Sequence, residues 1–89
     1  MNQDVYKVAI AHYGIDNQLN VAVEEMSELT KEIIKSKRGY DNRDHILEEL
    51  ADVSIMLEQL MVIYNLSIKE VIDVRKAKLK RLERRIMND

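Results

Sequence analysis

Four stretches of this chain place apolar residues at the three- and four-residue intervals of an amphipathic helix, and turn formers separate them. In the first, Val5, Val8, Ala9 and His12 share one face, which predicts a helix over about Gln3 to Tyr13 closed by a left-handed Gly14. Asp16 or Asn17 is expected to accept from free amides and start a second helix that runs to about Arg38, before Gly39. There Leu19, Ala22, Val23, Met26, Leu29, Ile33 and Ile34 gather into one apolar sector. Glu25, Glu28 and Glu32 lie on its flank, and Glu24 points further round.

The connection from Lys37 to Arg43 is polar and rich in turn formers, and Asp41, Asn42 or Asp44 is expected to cap a third helix reaching about Tyr64. Ile46, Leu50, Val53, Leu57, Leu60, Met61 and Tyr64 form its stripe, while Ala51, Ile55, Met56, Val62 and Ile63 spread around the rest. A helix apolar almost all round has to be buried almost all round. Four short helices cannot cover it on every side, so a second subunit is expected over it. Asn65 suits a left-handed terminator, and Ser67-Ile68-Lys69-Glu70 has the form of a capping box opening a fourth helix at about Ile68. Val71, Ile72, Ala77, Leu79, Leu82 and Ile86 are its apolar positions, ringed by lysines and arginines.

Composition sharpens this to an all-α, single-domain subunit spanning 1–89. The chain has no Pro and only two Gly among 89 residues, which leaves few breaks, and no Phe or Trp, so Leu, Ile, Val, Met and Ala must build the core. So small an aliphatic core is marginal alone, which again favours a homodimer or homotetramer. With no Cys, neither a disulfide framework nor a thiolate metal site is possible. No apolar leader or run of about 20 apolar residues stands out, so a cytoplasmic protein without a membrane partner is expected. The net charge of −2 conceals an asymmetry. Residues 1–65 hold six Lys/Arg against twelve Asp/Glu, and residues 66–89 hold eight against four, so a body of −6 carries a tail of +4. Positive charge confined to one segment and facing a negative one is not a nucleic-acid footprint. It suits an anionic small ligand held between a cation and basic side chains.

Two acidic pairs carry the candidate chemistry. Glu25/Glu28 and Glu49/Asp52 are each spaced to project from one side of a helix, and four carboxylates can meet if the two helices run antiparallel. Oxygen-only ligands on rigid helices suit a hard divalent ion such as Mg²⁺, with Mn²⁺ as a possible substitute. Asp52 stands in the most apolar helix, where an ionised group is costly unless paired or metal-bound. A neighbouring carboxylate, Glu24 or Glu48, could accept a proton from an attacking water. On an ordinary solvated helix face the same acids would only pair with nearby lysines.

At these residues, Glu24-Glu25-Met26-Ser27-Glu28 and Glu49-Leu50-Ala51-Asp52, the sequence resembles the MazG-type all-α nucleoside triphosphate pyrophosphohydrolases, over about Ile15 to Arg85. The resemblance implies a MazG-like four-helix subunit assembling into an oligomeric helical bundle. It further implies Mg²⁺-dependent cleavage of a nucleoside triphosphate between the α and β phosphates, giving monophosphate and pyrophosphate. By motif position Glu25, Glu28, Glu49 and Asp52 would be metal ligands and Glu24 an accessory carboxylate. The family's late Lys-aromatic-x-x-Arg pattern falls on Lys78-Leu79-Lys80-Arg81, with Leu79 in place of the aromatic residue. Gln18 stands shortly before the first motif, where related members often have a Gln, so the resemblance allows a substrate contact there, and Lys31 is within reach of phosphate. Two other functions fit the same residues: a non-catalytic oligomerisation module whose carboxylates bridge to the basic last helix, and a sensor that binds a nucleotide without cleaving it.

Overall fold

The chain turns where its backbone can adopt left-handed geometry. A computed structural model describes residues 3–89, and the described residues form α1 (Gln3–Tyr13), α2 (Ile15–Lys37), α3 (Arg43–Ile63) and α4 (Ile68–Asn88). Gly14, Gly39 and Asn65 have φ of 92°, 94° and 54°. After α2 the Gly39 amide donates to the Ser36 carbonyl and the Tyr40 amide to that of Lys35. After α3 the Asn65 amide donates to Val62 and that of Leu66 to Met61. Both are Schellman closures, which satisfy carbonyls that a helix end would leave free.

The starts differ from expectation. Asp16 and Asn17 lie within the first turn of α2 and no side chain caps it, because a one-residue connection at Gly14 leaves no room for a capping residue outside the helix. Asn42 occupies the cap position of α3 without capping it. Its amide instead donates to the Glu32 carbonyl at 2.9 Å and to Glu32 Oε2 at 3.1 Å, tying the loop back to α2. Only α4 starts as its sequence says. Ser67 accepts from the Glu70 amide, and Glu70 accepts from the Ser67 amide, which holds the Glu70 carboxyl below its ordinary range.

The body is an antiparallel α2–α3 hairpin with α1 laid across one end. Along α2 the covered positions include Gln18, Ala22, Glu25, Leu29 and Glu32, alternating four and three residues apart; along α3 they include Glu49, Met56 and Gln59. This is a coiled-coil-like seam. Its layers are unusual in being polar at every seventh residue of α2: Gln18 meets Gln59, Glu25 meets Glu49 and Asp52, and Glu32 meets Asn42. Ala22 and Met56 are the buried apolar residues of the seam, 1% and 4% exposed. Where α1 crosses, buried Tyr6 donates its hydroxyl to Glu58, and that bond, with burial, raises the phenol above its ordinary range.

The apolar sector expected to face the core of α2 is largely outside. Val23, Met26, Ile33 and Ile34 are exposed, as are Leu47, Leu50 and Leu57 on α3. One chain therefore covers α3 on one side, not all round. The fourth helix makes only a marginal contact with the other three. The radius of gyration reflects this, being 16.0 Å where about 12 Å is expected for a compact chain of this length.

Candidate metal centre

Midway along the hairpin, the seam brings three of the four expected ligands together. One carboxylate oxygen from each of Glu25, Glu49 and Asp52 lies within 4.8 Å of the others. The cause is local: Glu49 and Asp52 are one helical turn apart on α3, and Glu25 sits on the facing edge of α2. Glu25 and Glu49 are half-buried, whereas Asp52 is exposed at the rim. The cost of desolvated charge thus falls on the two glutamates and not, as its sequence surroundings suggested, on Asp52. The physical reason is that α3 is covered on one side only.

Two observations show strain that a cation would relieve. Glu49 Oε2 is buried and has no hydrogen-bond partner, an arrangement that costs free energy when left uncompensated. The Glu25 carboxyl is pushed above its ordinary range, by burial first and then by the negative charges of Asp52, Glu49 and Glu28. A divalent cation would reverse both effects, and a set of carboxylate oxygens with an open, solvent-facing rim suits Mg²⁺ or Mn²⁺. The residues present therefore fit the ion.

Glu28 lies outside the triad. It is exposed, and its Oε1 pairs with Lys31 Nζ at 3.2 Å, one turn along the same helix. Glu24 and Glu48 are also exposed, each one residue before a triad glutamate. Gln18 is 5% exposed and donates Nε2 to Gln59 Oε1 at 2.7 Å, so its amide is committed to the seam. Lys78 and Arg81 are exposed on α4, which makes only a marginal contact with the other helices and contributes no residue to the carboxylate cluster.

Sequence reasoning missed Gln59 and the Asn42–Glu32 tie. The signal for Gln59 was available: Gln18, Glu25 and Glu32 recur every seven residues, and such a polar heptad on one helix asks for polar partners on its neighbour. An open groove of about 680 Å³ runs along α4 past Val71, Val74, Leu79 and Leu82, and no triad carboxylate lines it. No helix among the described residues is long and apolar enough to cross a membrane. Neither family models, nor curated proteins, nor solved structures give a match to this chain.

Proposed function

We propose that this chain is a Mg²⁺-dependent nucleoside triphosphate pyrophosphohydrolase of the MazG type, acting in the cytoplasm as an assembly of two or four copies. The observation that supports it most is the Glu25, Glu49, Asp52 triad with its unpartnered buried oxygen on Glu49. In the reaction, water adds to the α phosphorus and the bond to the bridging oxygen breaks, giving monophosphate and pyrophosphate. Mg²⁺, when bound, supplies positive charge for the phosphate oxygens and makes a coordinated water more acidic. Glu25, Glu49 and Asp52 would hold it, and Glu28, freed from Lys31, would lie one turn from Glu25 to complete the set.

The remaining roles belong to the rim. Glu24 or Glu48, exposed beside the triad, would take the proton from the attacking water. Lys31 would turn from Glu28 to a phosphate oxygen once that carboxylate is occupied. Gln18, through Gln59, would position the seam two turns from Glu25. Lys78 and Arg81 have suitable chemistry for phosphate, and their assignment rests on charge and on the family resemblance.

The test is pyrophosphate release from a panel of ribo- and deoxyribonucleoside triphosphates with Mg²⁺. Turnover of at least one is expected, with loss in Glu49→Gln and Asp52→Asn proteins that remain helical. A folded parent that turns over none of them overturns the reading. One observation favours a second reading, a non-catalytic assembly module: α4 is apolar along one side, yet none of its residues is buried. That module would show no change in melting temperature with Mg²⁺, whereas a carboxylate site is stabilised by mass action.

A further inference from the structure

The single chain leaves too much apolar surface uncovered, and its distribution has a geometric order. The accessible surface is 7333 Å², whereas a compact monomer of 10.5 kDa exposes about 5,400 Å². The excess of roughly 1,900 Å² exceeds the approximately 800 Å² that each partner contributes to a standard stable interface.

Two stripes account for much of it. On the hairpin, Val23, Met26 and Ile33 of α2 and Leu50 and Leu57 of α3 are each 38–63% exposed. On both helices these positions lie roughly a sixth to two-fifths of a turn beyond the seam in the N-to-C sense, at 100° per residue. Because α2 and α3 run antiparallel, equal rotation carries both stripes to the same side of the hairpin. Rotation the other way leads to Glu24, Glu28 and Glu48, so the hairpin has one apolar face and one acidic face. The second stripe is on α4, where Ile68, Ile72, Leu79, Leu82 and Ile86 share a side and are 41–65% exposed.

We infer that two copies embrace reciprocally, the apolar side of α4 from each lying on the apolar face of the other's α2–α3 hairpin. Charge selects the occupant. Two α4 helices paired together would bring like charges side by side, since residues 66–89 carry +4. The hairpin belongs to a body of −6, the opposite sign to α4. A second copy thus offers α4 both an apolar bed and opposite charge, and a two-fold axis makes the contact twice. This inference rests on the multi-chain part of the proposed function and not on its chemistry.

The test uses the full-length chain, with mass measured by light scattering after size exclusion. The parent is expected to elute with the mass of two chains or a multiple of two. Leu50→Asp on the hairpin and Leu79→Asp on α4 are each expected to weaken association at least a hundredfold, because each buries a carboxylate in an apolar contact. Both positions are exposed in one chain, 51% and 45%, so neither substitution should unfold the hairpin. Mixing the two variants is the decisive step. A mixed pair restores one contact between an unaltered α4 and an unaltered hairpin, so association is expected to recover. Hairpin-to-hairpin or α4-to-α4 pairing restores nothing on mixing. A monomeric parent, a variant that still associates, or a mixture that stays monomeric overturns the inference. Pyrophosphate release, assayed separately, decides the hydrolase reading independently.

Discussion

The α2–α3 hairpin and α4 are built from similar lengths of amphipathic helix, yet they are held in opposite ways. In the hairpin, neither helix has a side-chain cap. Its helices are secured by the seam, where Ala22 and Met56 are buried and Gln18, Gln59, Glu32 and Asn42 find one another. In α4 nothing is buried, and local devices do the holding: a complete capping box at Ser67 and Glu70, and a Lys69–Asp73 ion pair at 2.7 Å. Tertiary packing replaces capping where it is present, and local sequence carries the helix where packing is absent. Fixed geometry suits the hairpin to the proposed chemistry, and an uncovered apolar side suits α4 to the proposed association.

The sharpest way to break that division is Glu49→Gln. If the hairpin carries the chemistry, pyrophosphate release should fall by at least about a hundredfold, the scale expected when a metal ligand and several kcal/mol of charge stabilisation are lost. Association measured on the same sample should stay unchanged. A variant that loses both activity and association would show that the two regions are not separable.

Glu25→Gln comes next and tests the electrostatics of the triad. Burial and its acidic neighbours raise the folded-state pKa of Glu25 above the ordinary 4.5. With a chelator present, its favourable contribution is complete below about that unfolded value and is lost as pH rises through the raised folded value. The metal-free parent should therefore lose stability across that window, and Glu25→Gln should lose less. Mg²⁺ at a hundred times its dissociation constant should return about 2.7 kcal/mol to the parent at neutral pH and much less to the variant. Equal melting curves for the two proteins with and without the ion would remove the triad as a cation site.

Much of this was legible in the sequence, for reasons that differ by residue. Gly14, Gly39, Asn65 and the Ser67 box marked the helix limits because each is a local backbone event. Glu49 and Asp52 were legible as neighbours because one helical turn fixes their spacing, whereas Glu25 reaches them only through the α2–α3 packing. Glu28 was not separable from them by spacing alone; a lysine one turn on captures it. Asn42 reads locally as a cap, and only the closed hairpin shows that Glu32 takes its amide, since that bond joins residues ten apart. The exposed Val23, Met26 and Leu50 carry the same periodicity as covered residues. Periodicity says which faces are apolar, whereas what covers them depends on the rest of the assembly.

Ala22→Leu probes the seam against α4 with a purely steric change. Ala22 is 1% exposed, so three added carbons must displace neighbours, at a cost of about 1–3 kcal/mol. In a chain of this size that lowers the melting temperature by roughly 4–8 °C per kcal/mol. Leu79→Ala removes three carbons from α4, where the chain itself buries no residue, and should weaken association while leaving the hairpin's intrinsic stability unchanged. Similar effects of the two on the melting of isolated chains, measured below the association concentration, would mean that α4 has a partner within its own chain.

Ser67→Ala has the smallest expected effect and is the most selective. The substitution removes the hydroxyl that accepts from the Glu70 amide at 3.1 Å, a loss typically worth about 1 kcal/mol at a helix start. In α4 that loss has little packing within the chain to absorb it, so far-UV circular dichroism at low concentration should show α4 fraying while hairpin amides keep their hydrogen-exchange protection. At high concentration, where a second copy covers α4, the parent's helicity should return, because bound partners hold the helix by the same packing that holds the uncapped hairpin. Persistence of the helix loss at both concentrations would mean that association does not involve α4.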